Sequence, residues 1–287
     1  MLWSLTVPEM TPQTATSAPR HLALVTGASS GLGADLAREL ARAHYDLVLV
    51  ARRERPMQAL AAELAGHGVR VTVIPANLGV IGAASRLFAD LERRRLEEVD
   101  VLVNNAGFGD YAVFVRAEPT KLSEMIHLNI TVPTELTRTF LPGMIARGQG
   151  RVLFVGALAG FADGPGAAVY QATKAFVLRF GEALAGELRG SKVTVTILCP
   201  GPMPTEFAAA AGSQPGEHLG RPGLMASAKV AQRGYAALKN GRLVSVPGAT
   251  NKVRAAYLCF ASSLRTCLRP LRGGWISAGG DGCQPGD

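Results

Sequence analysis

Cysteine is scarce in this chain of 287 residues, and long apolar runs are missing. The four cysteines (Cys199, Cys259, Cys267 and Cys283) stand apart, with no CxxC pair and no histidine cluster beside them. That spacing argues against a disulfide framework or a metal site, and for reduced thiols of structural use. No apolar run approaches the ~20 residues needed to cross a bilayer, so stable membrane insertion is not expected. The opening stretch, MLWSLTVPEMTPQTATSAPR, lacks a basic n-region and a sustained apolar segment, so it does not read as a secretory signal. It reads as a flexible leader over residues 1–20, and the expected location is cytoplasmic. Charged residues make up 18% of the chain and leave a formal net charge of +8. The basic side chains are dispersed, apart from Arg52 with Arg53, residues 93–95 and the tail, so no nucleic acid partner is expected.

What is present is the composition of a single large α/β domain: 48% hydrophobic residues and 33 glycines without a period, which suit many tight turns. Short β-branched runs at 22–26, 46–51, 70–75, 99–103, 151–155, 193–198 and 243–246 read as strands. Between them, residues 33–43, 55–66, 83–95, 121–146, 169–188 and 226–239 read as helices. Apolar strands joined by helices mean βαβ crossovers. The expected fold is therefore a Rossmann-like, doubly wound sheet of about seven parallel strands with helices on both faces. Such a sheet takes its ligands at the carboxyl ends of the strands. The domain is expected to run over residues 21–272, with a disordered tail at 273–287.

The first strand runs straight into Gly27-Ala28-Ser29-Ser30-Gly31-Leu32-Gly33 and then into a helix. Strand, glycine turn and helix in that order suit a dinucleotide. Gly27 permits the tight turn, Gly31 lets backbone approach a pyrophosphate, and Gly33 lets the helix pack closely on the strand. The helix N-terminus then offers unpaired N–H groups to phosphate.

Further motifs follow in order: Asn104-Asn105-Ala106-Gly107 after the fourth strand, Tyr170-Gln171-Ala172-Thr173-Lys174 on a helix, and Pro200-Gly201 after the sixth strand. Together with TGxxxGxG they make residues 21–246 resemble the short-chain dehydrogenase/reductase family. The resemblance implies that Asn105, Ala106 and Gly107 steady the sheet beside a cofactor and that Pro200 and Gly201 lie against its nicotinamide. Asn77-Leu78 stands where the family has an Asp-Leu pair contacting adenine, and asparagine keeps an acceptor oxygen. The second strand ends at Ala51 with no carboxylate, followed by Arg52 and Arg53. An acid there would repel a 2′-phosphate and a guanidinium suits one, so NADP(H) is the expected cofactor. Arg52 is the expected phosphate contact, with Ser29 or Ser30 assisting and Arg53 solvated.

Four residues separate Tyr170 from Lys174, which puts them on one helix face. A free phenol titrates near ~10, and a neighbouring ammonium and an oxidised nicotinamide should both lower that value. By resemblance Tyr170 exchanges the proton, Lys174 also holds the nicotinamide ribose, and Asn129 anchors a water relay to the lysine. The family's serine comes thirteen residues before its tyrosine, and here that position is Ala157, with no serine or threonine between Arg151 and Val169. Three explanations stay open: a substitution made to trap a ligand, a protein that binds cofactor without fast turnover, or an enzyme with another donor or another chemistry.

Residues 202–225 read as an apolar lid, with Met203, Phe207 and an alanine run. Phe108, Tyr111, Val113 and Phe161 are candidates for lining the same cleft, whereas His127 and His218 read as structural or solvated. Residues 251–271 read as a basic amphipathic helix, either a plain packing or surface helix or one that touches a membrane surface or a partner subunit. The resemblance implies a homodimer or homotetramer. The expected function is hydride transfer between NADP(H) and a hydrophobic ketone, aldehyde or secondary alcohol, weakened by Ala157. The rivals are an NADP(H) sensor and a redox-neutral enzyme catalysing dehydration, epimerisation or cyclisation.

Overall fold

The computed structural model describes residues 21–204 and 224–268, with side chains through residue 261. The expected leader, most of the expected lid with Phe207 and His218, and the expected tail lie outside these residues. Seven strands form one sheet: β1 (Leu22–Thr26), β2 (Asp46–Ala51), β3 (Val71–Pro75), β4 (Val101–Asn104), β5 (Gly150–Val155), β6 (Val193–Leu198) and β7 (Val244–Ser245). Their order is β3-β2-β1-β4-β5-β6-β7 and every pairing is parallel. The chain builds outward from β1 to β3, then returns to lay β4 against β1. The order therefore reverses between β1 and β4, and in such a sheet that is where a crevice opens at the carboxyl ends.

The strands are apolar without alternation because both faces are covered. Leu24, Val48, Val50, Leu102, Val152 and Phe154 face one way. They pack against α3 (Ala83–Arg94), α5 (Val132–Arg147) and α6 (Ala168–Glu187), through residues such as Leu87, Leu136 and Val177. Ala23, Val25, Leu47, Leu49, Val103 and Leu153 face the other way. Their partners are α1 (Gly31–Arg42), α2 (Glu54–Ala65) and α7 (Ser227–Lys239), through Leu36, Met57 and Val230. Each fully buried leucine or valine of these layers contributes roughly 1.5–3 kcal/mol of transfer free energy.

The expected helix over 121–146 is longer and broken. It consists of α4 (Pro119–Ile126), a π-helical turn (His127–Thr131) and α5. Glu118 caps its start by accepting from the backbone N–H groups of Thr120 and Lys121. Pro133 has no N–H to give the carbonyl of Asn129, four residues back, and the widened turn absorbs that mismatch. The expected basic helix over 251–271 is α8 (Ala249–Leu268). Among the described residues, no helix is long and apolar enough to cross a membrane.

Candidate active site

A cavity of about 980 Å³ lies along the carboxyl ends of the strands. Its first wall is the turn from β1 into α1. Gly27 has φ +67°, a backbone conformation that a side chain would strain, and a Cβ at Gly33 would lie 2.3 Å from the Gly27 carbonyl oxygen. The turn and the helix thus touch backbone to backbone, as the glycine spacing predicts. No side chain caps the start of α1 and its first turn carries no acid, which leaves its N–H groups directed into the cavity's end.

Thr26 fastens this turn to β4. Its hydroxyl donates to the Val103 carbonyl (3.1 Å) and accepts from the backbone N–H groups of Asn105 and Ala106 (3.0 Å each). The Asn105 side-chain amide donates to the carbonyls of Thr26 (2.8 Å) and Gly27 (3.2 Å). Asn104 reaches the other way, donating to the Thr137 hydroxyl of α5 (3.1 Å).

Both arginines after β2 line the cavity with Ser29, Ser30, Gly31 and Leu32. The expectation that Arg53 is merely solvated is not met: its guanidinium donates to Ser30 Oγ at 2.8 Å and Ser29 Oγ at 3.3 Å. It therefore spans the turn where Arg52 was expected to act, because Arg53 immediately precedes α2 and projects across toward α1. Asn77 and Leu78 line the same end; Asn77 Oδ1 accepts from Gly79 N–H at 3.0 Å and Leu78 is buried.

At the opposite end Tyr170 and Lys174 lie one turn apart on α6, both buried. Lys174 Nζ donates to the Val155 carbonyl at 2.9 Å and lies 6.0 Å from the Tyr170 ring centroid. Burial lowers the ammonium to about 8. The Tyr170 phenol is shifted up, because burial disfavours the phenolate and the neighbouring Tyr111 phenol adds to the rise. A phenol held in its protonated form is suited to donating a proton. Tyr111 packs edge-on against Tyr170, with ring centroids 5.8 Å apart.

Asn129 sits in the π-helical turn and is buried. Its side chain accepts from Phe108 N–H (3.1 Å) and donates to the Phe108 carbonyl (2.9 Å) and the Thr173 hydroxyl (3.0 Å). Thr173 in turn donates to the Tyr170 carbonyl at 2.8 Å. Asn129 thereby ties the loop after Gly107 to the helix that bears Tyr170 and Lys174. Ala157 lines the cavity after β5 and packs in the apolar cluster around Tyr170, with Phe108 and Met125. It offers no donor. Pro200 and Gly201 complete the wall, and the Pro200 carbonyl accepts from Leu158 N–H at 2.9 Å.

Residues 21–216 match the family described as short chain dehydrogenase. The chain belongs to the short chain dehydrogenase family. An uncharacterized oxidoreductase of Myxococcus xanthus is 39% identical over 192 residues, 65% of this chain and 74% of the relative. Ketoacyl reductase HetN of Nostoc is 32% identical over 180 residues, covering 62% of each protein, less than two thirds of that relative's length. Among solved structures, a short-chain dehydrogenase from Sphingobium yanoikuyae in complex with NADPH superposes with a TM-score of 0.75 at 30% identity. That similarity covers 91% of this chain and 98% of the other. A bulky-bulky ketone specific alcohol dehydrogenase from Comamonas testosteroni gives 0.71 at 27% identity, over 91% and 97%.

Several residues that shape this short chain dehydrogenase's site carry no motif signal. Thr26 and Thr173 act through single buried hydroxyls; a threonine ending an apolar strand is a faint cue for the first, and nothing marks the second. Of the outcomes open for the basic helix α8, one face packs: Asn251 and Ala255 are buried, and Arg254 and Leu258 line the cavity, which the sequence did not indicate. One helical face does stay outside, with Val253, Tyr257 and Phe260 exposed. Of the residues suggested for the cleft, Phe108 and Tyr111 line it. Val113 is exposed beside it, and Phe161 packs against the core instead. Cys199 is buried with its thiol pushed up to about 12, an inert group, whereas Cys259 is exposed.

Proposed function

We propose that this chain is an NADP(H)-dependent carbonyl reductase, interconverting a hydrophobic ketone or aldehyde and its alcohol. The observation that carries the reading is one cavity with two chemically distinct ends. An uncapped helix N-terminus with two arginines stands at one end, and a buried Tyr170–Lys174 pair at the other. The residues present fit a phosphorylated dinucleotide. The Gly27–Gly33 contact leaves room only for hydrogen, so backbone can face the pyrophosphate. Arg53 or Arg52 would meet the 2′-phosphate beside Ser29 and Ser30, with Asn77 and Leu78 against adenine. Lys174 would hold the nicotinamide ribose, and Pro200 and Gly201 would flank the ring. The NADPH complex of the Sphingobium enzyme agrees with this reading.

When bound, the reduced nicotinamide supplies the hydride. Tyr170 gives its phenolic proton to the carbonyl oxygen, so that carbonyl, hydride and proton make one alcohol. The buried ammonium of Lys174 favours the phenolate left behind, and the proton returns from solvent. Phe108, Leu158, Met203 and Leu258 give the substrate end an apolar lining that suits a hydrophobic carbonyl compound. Ala157 removes one donor to the carbonyl oxygen, a loss worth roughly a hundred- to a thousandfold in turnover where no other group replaces it. That alanine also favours a second reading, an NADP(H)-binding protein without turnover.

The deciding experiment follows NADPH oxidation against phenyl ketones, cyclohexanones and 3-oxo esters, beside direct NADPH binding. Turnover that disappears in Tyr170→Phe is expected. Tight NADPH binding with no turnover in either this chain or its Ala157→Ser variant would leave the sensor reading.

A further inference from the structure

Beyond the pair on α6, we propose that Tyr111 is a catalytic residue of this site: its hydroxyl donates to the substrate carbonyl oxygen the hydrogen bond that Ala157 lacks. The inference rests on the reductase reading above and assigns the missing donor of that same site.

Three observations carry it. Ala157 and Tyr111 both line the cavity and both border Tyr170, the alanine within its apolar cluster and the tyrosine edge-on at 5.8 Å between ring centroids. An oxygen within reach of the Tyr170 hydroxyl thus has both a methyl group and a second phenol in its surroundings. A phenol is a better hydrogen-bond donor than an aliphatic alcohol because it is the stronger acid, with a pKa of about 10.

The loop that bears Tyr111 is also held in place. Asn129 clamps Phe108 through both backbone groups, and Lys121 Nζ meets Asp110 Oδ1 at 2.6 Å. The Asp110 side chain is 12% exposed, so this ion pair is partly shielded from water. Two anchors therefore fix the three residues before Tyr111, while Tyr111 itself is 47% exposed, on the side open to an incoming substrate. Pre-organised placement of that kind is what makes a donor effective at an oxyanion.

The other donors at this end are placed less well. Gln171 follows Tyr170 directly on α6, so its side chain leaves the helix about 100° around from the phenol. Arg254 comes from α8, on the side of the 3-10 turn Leu158–Phe161, and makes no ring contact with Tyr170 among the described residues.

The test is a double-mutant cycle on the full chain: the parent, Tyr111→Phe, Ala157→Ser and the double variant. NADPH is the cofactor, with the phenyl ketones, cyclohexanones and 3-oxo esters named above. Tyr111→Phe keeps the aromatic ring at a half-exposed position, so folding should survive, and circular dichroism checks that. In the parent it is expected to lower kcat roughly a hundredfold with NADPH affinity unchanged. With serine at 157 the same change should lower kcat less than about tenfold, because a second donor is already present. Equal losses in both backgrounds, or no loss in the parent, overturn the assignment. A parent inert toward every carbonyl beside an active Ala157→Ser variant also overturns it, and leaves the reductase reading standing. Inactivity of both, with NADPH bound, removes the reductase reading itself and Tyr111's role with it.

Discussion

At one end of the cavity the groups suited to phosphate come from seven consecutive residues, Gly27 to Gly33, with Arg53 bridging across from the next strand. At the other end the lining groups come from the loop after β4, the end of β5, α6 and α8, with a π-helical turn behind them. The first end works through backbone and is nearly self-contained. The second works through side chains whose positions depend on several elements packing together. A local motif can survive any change elsewhere in the fold, whereas a distributed one gains or loses a member at each position independently. On the reductase reading proposed above Ala157 is such a loss, and Tyr170, Lys174, Asn129 and the whole turn of α1 stand in place beside it.

The largest expected effect separates the two ends outright. Tyr170→Phe removes the proton donor and should lower turnover on the order of 10²- to 10⁴-fold. NADPH affinity should stay within about twofold, since the phosphate contacts lie at the other end. Isothermal titration beside steady-state kinetics checks both numbers, and a parallel loss of cofactor affinity would mean that the two ends are not independent.

A smaller effect tests the self-contained end. Arg53→Glu puts a carboxylate where the guanidinium now meets Ser29 and Ser30. The ratio of NADPH to NADH affinity should fall about ten- to a hundredfold, the range of one charged hydrogen bond lost. Arg52→Glu is the matched comparison. If it shifts the ratio further than Arg53→Glu, then the solvated arginine and the phosphate contact are the reverse of what the Ser30 bond suggests.

The same contrast explains what could be read from the residues alone. The parallel strands were legible because both faces of the inner ones are buried, which leaves unbroken apolar runs such as Leu22–Thr26 and Asp46–Ala51. The glycine turn was legible because its chemistry lies in adjacent residues. The bonds from Arg53 to Ser29 and Ser30 were not legible because a guanidinium's direction depends on where α2 begins relative to α1. The π-helical turn at Asn129 was hidden inside a pattern that reads as one helix, and only the carbonyl left without a partner by Pro133 hints at it. Thr173 and the cavity side of α8 depend wholly on tertiary packing.

Where the two ends meet, Thr26 joins β1 to β4 with three hydrogen bonds around one hydroxyl. Thr26→Val keeps the shape but strands the Ala106 N–H and takes one partner each from the Asn105 N–H and the Val103 carbonyl, which keep their bond to each other. It should destabilise the fold by about 1–3 kcal/mol, read as a lower urea midpoint at unchanged slope. NADPH affinity and turnover should fall together. If only one of them falls, the junction belongs to that end alone.

The smallest expected effect concerns the sign of a pH dependence at the catalytic end. Burial lowers the Lys174 ammonium to about 8 from an ordinary value near ~10.4. Below the lower value the folded protein carries the full burden of a buried cation. Between the two values the unfolded chain binds more protons than the folded one, so this group's contribution to stability rises with pH. Catalysis should move the other way over the same window, because the neutral amine no longer favours the phenolate. Lys174→Met removes the cation while filling similar volume, and should raise Tm at neutral pH by a few degrees, roughly 2–4 °C per kcal/mol gained. It should also flatten the rise in stability above pH 8 while abolishing most turnover. Thermal melts from neutral to alkaline pH check this; a variant that melts lower than the parent at every pH would show that the bond from Nζ to the Val155 carbonyl outweighs the cost of burying the charge.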